Sequence, residues 1–159
     1  MTIAVGEKIP AAILNIMKDG VQAVSTDDVF AGKKVVLFAV PGAFTPTCSA
    51  KHLPGFVQHI DDFRKLGVDV VCLSVNDVFV MDAWAKSQDV PDDISMLADG
   101  NGMLTEAMGL EMDGTAFGLG KRCKRFALVA DDGVVKQLFI DAPGEFKVSS
   151  AEHVLAELA

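Results

Sequence analysis

The sequence has few cysteines and no pair of them spaced as C-x-x-C. Its 159 residues include three cysteines, Cys48, Cys72 and Cys123. An odd number at these wide spacings excludes the disulfide framework of a small secreted domain and a paired zinc-finger site. It also excludes the dithiol exchange that a C-x-x-C motif performs. One reactive thiol is the natural interpretation of this cysteine content.

Basic residues and long apolar runs are also scarce. The 14 Lys+Arg residues against 22 Asp+Glu give a formal net charge of -8, which repels nucleic acid and anionic membrane surfaces. The longest uncharged stretch, Val35 to Ala50, is interrupted by Pro41, Gly42 and Pro46 and is too short to span a bilayer. We therefore expect neither nucleic acid nor a membrane as a partner. No basic region precedes the first apolar residues, so no secretory signal is predicted and a cytoplasmic location is expected.

The remaining composition is that of a folded protein. Half of the residues are hydrophobic and 23% are charged, whereas disordered chains have too little apolar surface to offset the entropy of ordering. A length of 159 residues is typical of one domain. The sequence predicts a single domain over residues 1–159.

Apolar runs alternate with helical patterns along the chain, bounded by glycine, proline and capping residues. Asp-Gly pairs at positions 19–20 and 132–133 each predict a hairpin. The pattern predicts strands over 13–17, 21–24, 35–40, 68–75, 94–97, 125–130 and 134–140. It predicts helices over 26–30, 46–67 (kinked or divided at Pro54), 78–87, 102–108 and from Ser149 or Ser150 to Leu158.

This order of elements indicates an α/β fold with a mixed central β-sheet flanked by helices. Two strand-helix-strand crossovers precede the second hairpin, which is a thioredoxin-like topology with an N-terminal β-hairpin extension. The glycine-rich stretch from Gly109 to Gly120 is predicted to be the longest irregular segment. We expect such a loop near a site or an interface.

Cys48 occupies a position that suits a nucleophile. It follows a predicted buried strand and the Pro41-Gly42 turn, where a helix begins. Backbone N–H groups and the helix dipole at that point favour a thiolate, which is the reactive form of the thiol. Thr45 lies three residues earlier and brings a hydroxyl group to the same loop.

These residues carry a resemblance to a known family. The segment PGAFTPTC, from Pro41 to Cys48, matches the P-x-x-x-T-x-x-C motif of peroxiredoxins. Further segments resemble the type II, or type-5-like, peroxiredoxins of plants and bacteria over nearly the whole chain. They are LFAVPGAFTPTCSAKHLPGF, CLSVNDVFVMDAWAK, RFALVADDGVVK and GEFKVSSAEHVL.

The resemblance implies a peroxidase that acts in antioxidant defence and reduces hydrogen peroxide and alkyl hydroperoxides. Cys48 would attack the terminal peroxide oxygen and become a sulfenic acid. The motif implies that Thr45 hydrogen-bonds the peroxide and that Pro41 shields the sulfenate. It also implies that the amides of Thr47 and Cys48 hold the oxygen under attack. The family's active-site arginine precedes the F-A-L strand and corresponds to Arg125, whose charge would favour the thiolate.

The residues alone leave alternatives open. They do not distinguish Arg125 from Arg122. His52 lies four residues after Cys48 and could polarise the thiolate or join a metal site, although a structural histidine beside the pocket is the more common role. The other potential metal ligands in the sequence are Cys72, Cys123, His59 and His153. Their positions do not have the spacing of a metal site, so neither a metal nor another cofactor is expected.

The sulfenic acid must condense with another thiol, and Cys72 is the best candidate within the chain. Animal type-5 relatives place a resolving cysteine near the C-terminus, but the corresponding stretch, Phe146 to Ser150, contains no thiol. This departure favours glutathione or glutaredoxin as the reductant, with thioredoxin as the alternative.

The resemblance also implies a homodimer. In that case Phe44, Phe79 and Phe117 belong either to an interface or to the core. Two other functions use the same reactive Cys48. One is a peroxide sensor or redox relay, and the other is a thiol-disulfide exchanger with little peroxidase turnover.

Overall fold

The computed structural model describes residues 1–158, which contain nine β-strands and six α-helices. The strands are β1 (Ile13–Met17), β2 (Val21–Ser25), β3 (Lys34–Ala39), β4 (Asp69–Ser74), β5 (Ile94–Ala98), β6 (Glu111–Asp113), β7 (Lys121–Cys123), β8 (Phe126–Asp131) and β9 (Val134–Ile140). The α-helices are α1 (Thr26–Phe30), α2 (Leu53–Gln58), α3 (Ile60–Lys65), α4 (Val78–Ser87), α5 (Met103–Ala107) and α6 (Ala151–Leu158). A π-helix (Cys48–His52) precedes α2, and a 3₁₀-helix (Thr115–Phe117) follows β6. Among these residues, no helix is long and apolar enough to cross a membrane.

Seven strands form one mixed sheet in the order β2-β1-β5-β4-β3-β8-β9. The central strands β3, β4 and β5 run parallel, whereas β1, β2, β8 and β9 join antiparallel. The predicted thioredoxin-like α/β fold with an N-terminal β-hairpin is therefore confirmed.

The central strand β3 is buried on both faces of the sheet. Every residue from Val35 to Val40 has no exposed surface, which explains the continuous apolar run there. Alternate side chains enter two separate apolar clusters. Phe38 packs in the cluster that contains Cys48 and Cys72, and Leu37 packs in the opposite cluster with Cys123.

The predicted helix over residues 46–67 is divided at two places: the π-helix changes to α2 at Leu53, next to Pro54, and α2 ends at His59. Pro54 lies in the first turn of α2 and has no N–H to donate to a carbonyl of the preceding π-helix. The break between α2 and α3 falls at His59, which leaves helical geometry with φ -100° and ψ 10°. Before α2, the Leu53 N–H donates to the Cys48 carbonyl five residues back, which makes the turn wider than an α-helix.

The prediction of an irregular stretch from Gly109 to Gly120 is wrong in part. Strand β6 lies within it and pairs with β7, and the 3₁₀-helix forms the connection. Gly114 closes this hairpin because its N–H donates to the Gly120 carbonyl, and an added Cβ would lie 2.8 Å from that of Leu119. Strands of three residues are too short to show the alternation by which a strand is recognised.

Candidate active site

The loop after β3 is anchored on neighbouring segments and delivers Cys48 to the start of the π-helix. The Ala43 N–H donates to the Asn76 side-chain oxygen at 3.0 Å, which ties the loop to the end of β4. The Ser49 N–H donates to the Thr45 carbonyl at 3.0 Å and closes the first turn around the cysteine. Phe44 adopts a left-handed backbone with φ 65°, an unusual conformation for a bulky residue. At the end of this loop, Cys48 has no exposed surface.

Arg125 contacts the sulfur directly. Its Nη2–H donates to Cys48 Sγ at 3.2 Å, and its Nη1–H donates to His52 Nδ1 at 2.8 Å. The sheet explains the meeting, because β8 runs antiparallel to β3 and pairs Phe126 with Ala39. The residue before β8 thus lies at the end of β3 from which the cysteine loop departs.

Arg122 has a different environment. Its Nε–H donates to the Leu119 carbonyl at 2.9 Å and its Nη1–H to the Val75 carbonyl at 3.3 Å. It lies against the cysteine loop, since a Cβ on Gly42 would stand 3.2 Å from Nη1. Arg122 therefore braces the loop, and the guanidinium at the sulfur belongs to Arg125.

His52 is fully buried and contacts Arg125, with no hydrogen bond to Cys48 among the described residues. Burial and the nearby charge of Arg125 lower its pKa to about 3, so the ring is neutral at physiological pH. Because Nδ1 accepts from the guanidinium, the ring proton is on Nε2, which donates to the Ser149 carbonyl at 3.0 Å.

Three further predicted residues lie on the loop that leads from β3 to Cys48. The Thr45 hydroxyl donates to the Gly42 carbonyl at 2.6 Å, which leaves its oxygen free to accept. Pro41 is half-buried two residues after the end of β3, and Thr47 is half-buried in helical geometry immediately before Cys48. Within residues 1–158, no hydrogen bond joins the Thr45 hydroxyl to the sulfur.

Asp141 supports the site and was not foreseen from the sequence. Its carboxylate accepts from the N–H groups of Lys147 and Val148, each at 2.9 Å, and from the N–H and hydroxyl of Ser149. Burial raises the pKa of this carboxyl, but the hydrogen bonds from Ser149, Val148 and Lys147 outweigh burial and leave the pKa below its ordinary value. The sequence signal was weak, since one acid after an apolar strand is also typical of a turn.

Phe146 packs against His52 and Arg125, and the sequence did not predict this role either. Its ring centroid lies 5.0 Å from that of His52, and the Arg125 Cζ lies 5.7 Å from it. A guanidinium within about 6 Å of an aromatic ring gains cation–π attraction. The segment from Phe146 to Ser150, which contains no cysteine, therefore packs against the residues that contact Cys48.

The two other cysteines are in environments that disfavour a thiolate. Burial, followed by the nearby Cys48 and Cys123, raises the pKa of Cys72 well above its ordinary value. Burial and the nearby Cys48 raise the pKa of Cys123 to about 12, and its thiol donates to the Val40 carbonyl at 3.0 Å. Cys48 is the cysteine that contacts a cation. Within residues 1–158, no group of three His, Cys, Asp or Glu side chains is placed to hold a metal ion.

Known proteins share this arrangement of elements and sequence. Residues 4–155 match the family model described as Redoxin. The chain is 48% identical to Peroxiredoxin-2E, chloroplastic, of Arabidopsis thaliana, over 99% of this chain and 70% of that protein. It is 46% identical to Peroxiredoxin-2B of the same plant, over 98% of each.

A solved structure of reduced Prx3 in complex with hydrogen peroxide from Vibrio vulnificus shares both sequence and fold. It is 49% identical, with a TM-score of 0.95, and the match covers 99% of this chain and 100% of that one. The match to the family model and the identity to full-length relatives agree with the motif around Cys48. The chain therefore belongs to the Redoxin family and, within it, to the type II, or type-5-like, peroxiredoxins, which are thiol peroxidases.

Proposed function

We propose that the chain reduces hydrogen peroxide and alkyl hydroperoxides through a sulfenic acid on Cys48. The observation that carries this proposal is the 3.2 Å hydrogen bond from Arg125 Nη2 to Cys48 Sγ, a thiol with no exposed surface. A fixed cation beside a thiol favours the thiolate and stabilises charge that develops on oxygen. The Vibrio vulnificus relative whose structure contains hydrogen peroxide supports the choice of substrate.

The proposed reaction transfers two electrons from the Cys48 sulfur to the peroxide. The Cys48 thiolate attacks the terminal oxygen of the peroxide, so an S–O bond forms while the O–O bond breaks. The sulfur loses two electrons and becomes a sulfenic acid, and the peroxide gains them. The leaving oxygen takes a proton and departs as water or an alcohol. Arg125 faces the sulfur at which this exchange takes place.

Residues of the loop are assigned roles around the same oxygen atoms. The Thr45 oxygen, which donates its own hydrogen to Gly42, accepts a hydrogen bond from the peroxide O–H. The amides of Thr47 and Cys48 hold the oxygen under attack. Pro41 shields the sulfenic acid from solvent, in keeping with its half-buried place after β3.

Regeneration is assigned to an external thiol. Cys72 is the alternative resolving thiol, and it lies in the same apolar cluster as Cys48. However, it is fully buried and its pKa is raised, so little thiolate is available for attack. Glutathione would instead form a mixed disulfide with Cys48 and release water, and glutaredoxin would then return the thiolate. Thioredoxin is the second candidate reductant.

The test is peroxide consumption by the reduced protein supplied with glutathione and glutaredoxin. We expect many turnovers by wild type and by Cys72→Ser, and none by Cys48→Ser. Loss of turnover in Cys72→Ser alone would make Cys72 the resolving thiol. Consumption of one equivalent followed by arrest would contradict the glutaredoxin assignment, and a parallel reaction with thioredoxin and its reductase would then test the second donor. Undiminished turnover by Cys48→Ser would overturn the proposed nucleophile.

A homodimer is proposed from three exposed phenylalanines near the site. Phe44, Phe79 and Phe117 are 55%, 66% and 82% exposed. The segments that carry them are joined, because Asn76 accepts from Ala43 and Arg122 donates to the carbonyls of Leu119 and Val75. Exposed aromatic residues grouped in this way are typical of an interface.

The cytoplasmic location stays a prediction, and Peroxiredoxin-2E is named as a chloroplastic protein.

A further inference from the structure

Asp141 joins two parts of the chain that meet behind the reactive sulfur. Its backbone N–H donates to the Arg125 carbonyl at 3.0 Å, so it is fixed beside the start of β8. Its side chain accepts four hydrogen bonds from the segment Lys147–Ser149. The residue is 6% exposed, so these bonds are shielded from competing water.

A continuous series of hydrogen bonds leads from that segment to the thiol. The Ser149 carbonyl accepts from His52 Nε2, and His52 Nδ1 accepts from Arg125 Nη1. Arg125 Nη2 then donates to Cys48 Sγ. Phe146, on the connection between Asp141 and Ser149, packs at a tilt of 55° against the imidazole and lies under the guanidinium.

The hydrogen bond that His52 makes to the Ser149 carbonyl decides which way its other ring nitrogen can bond to Arg125. A backbone carbonyl can only accept, so Ser149 requires the imidazole proton on Nε2. The lone pair is then on Nδ1, where it accepts from one arm of the guanidinium. If the Ser149 carbonyl moved away, the ring could carry its proton on Nδ1 instead. That N–H would face the donors of Arg125 and push the guanidinium away from the sulfur.

We propose that Asp141 is a positioning residue of the peroxidase site, which holds the Ser149 carbonyl against His52 and thereby fixes the Arg125 guanidinium on Cys48. This inference rests on the proposed roles of Cys48 and Arg125. Asp141 does not touch the reacting atoms. It acts on the rate by keeping the guanidinium in place, where a displacement of about 1 Å can cost roughly 100-fold.

The chain contains a matched control for the loss of a buried capping carboxylate. Asp99 is 2% exposed and accepts from the N–H groups of Leu104 and Thr105 and from the Thr105 hydroxyl. Its bonds have the same character as those of Asp141, but they cap α5 and stand outside the series that ends at Cys48. Asp99→Ala therefore reproduces the structural damage of Asp141→Ala without its effect on His52.

The first measurement is the second-order rate constant of sulfenic acid formation in a single turnover, which needs no reductant. We expect Asp141→Ala to lower it roughly 10- to 100-fold and Asp99→Ala to leave it near the wild-type value. Ser149→Ala keeps the carbonyl and removes one bond to Asp141, so it should give a smaller fall with an intact fold. If Asp141→Ala does not fold, Ser149→Ala carries the test.

The second measurement is the ¹⁵N spectrum of His52, assigned by comparison with His52→Gln. Wild type and Asp99→Ala should show one tautomer, with the proton on Nε2, and Asp141→Ala should show a mixture. An unchanged rate together with an unchanged tautomer in Asp141→Ala, or in Ser149→Ala where that variant carries the test, would overturn the inference. An equal fall in rate in Asp99→Ala would overturn it as well. Activity in Cys48→Ser would instead refute the proposed function.

Discussion

The guanidinium of Arg125 performs two tasks that a lysine cannot combine. One arm donates to His52 and the other to Cys48 Sγ, at 2.8 Å and 3.2 Å. A planar fork satisfies both acceptors at once, whereas an ammonium group is a single charged point. The positive charge alone therefore does not define the site. The fork fixes where that charge stands relative to the sulfur.

Arg125→Lys tests the importance of the fork at constant charge. We expect the rate constant for peroxide to fall roughly 100- to 1,000-fold, which is the usual cost of losing one well-placed donor to a developing charge. Stopped-flow oxidation of the reduced protein measures it. Arg64→Lys is the matched control, because Arg64 is an exposed arginine that bonds to Asp61 and Asp93 far from this chemistry. A fall of less than about threefold in Arg125→Lys would show that charge alone suffices.

His52 makes the stability of the fold depend on pH. Burial and the charge of Arg125 lower its pKa to about 3 in the folded protein, against an ordinary value of 6.5. Between these values the unfolded chain binds the extra proton and the folded chain does not. Its contribution to stability is therefore complete above about pH 6.5 and is lost as the pH falls towards 3, by roughly 1.4 kcal/mol per pH unit.

The expected result is a steeper acid loss of stability in wild type than in His52→Gln. Denaturant unfolding at several values between pH 7.5 and 4.5 measures the free energy of unfolding of each protein. The difference between the two should shrink as the pH falls, because glutamine does not titrate. Parallel curves for the two proteins would mean that His52 titrates in the folded protein with the same pKa as in the unfolded chain, and would contradict the lowered pKa.

At the scale of elements, local patterns predicted the position of the nucleophile, whereas its partner Arg125 was identified only through the resemblance to a family. Cys48 follows an apolar run and a Pro-Gly turn, which are local signals of a strand that ends at a helix start. Arg125 reaches the sulfur through the pairing of β8 with β3, a contact between distant parts of the chain. Local patterns contain no information on that register, so the residues alone left Arg122 as an equal choice.

The elements that the patterns missed are those whose geometry is set by contacts or by short length. Three-residue strands and a π-helical turn have no periodic signature. Asp141 acquires its role only because the connection after β9 folds back on it. The long strands and the hairpins, by contrast, were predicted within a residue or two, since an unbroken apolar run or an Asp-Gly turn is itself the signal.

The π-helix should respond to oxidation in a way that tryptophan fluorescence detects. The single tryptophan, Trp84, is fully buried on α4, and its indole N–H donates to the Ser49 hydroxyl at 3.0 Å. A reductant must reach Cys48, which has no exposed surface. The π-helix contains both Cys48 and Ser49, so we expect this turn to open after oxidation. We expect the emission of Trp84 to change when one equivalent of peroxide is added.

Emission spectra of the reduced and oxidised protein measure this change, with mass spectrometry to confirm the sulfenic acid. Cys48→Ser should show no change, and Ser49→Ala should show a smaller one because the bond to the indole is already absent. If oxidation of Cys48 is complete and the emission is unaltered, the π-helix does not move on oxidation.

At the scale of the whole molecule, the surface that surrounds the site is also the surface proposed for dimerisation. The cysteine loop, the start of α4 and the β6–β7 hairpin each present an exposed phenylalanine, and hydrogen bonds join their segments. Association through these rings would stiffen the loop that holds Cys48. The proposed interface and the proposed chemistry are therefore expected to depend on each other.

The double variant Phe79→Ser, Phe117→Ser tests that dependence. A buried aromatic at the centre of an interface contributes about 2 kcal/mol, which is about 30-fold in affinity, so we expect the dimer to weaken at least roughly 30-fold. Sedimentation velocity over a range of concentrations measures the association. Leu66→Ser is the control, because Leu66 is 45% exposed at the end of α3, outside this surface. A wild-type protein that sediments as a monomer at all concentrations would refute the dimer. A double variant that is monomeric but fully active would separate the interface from the chemistry.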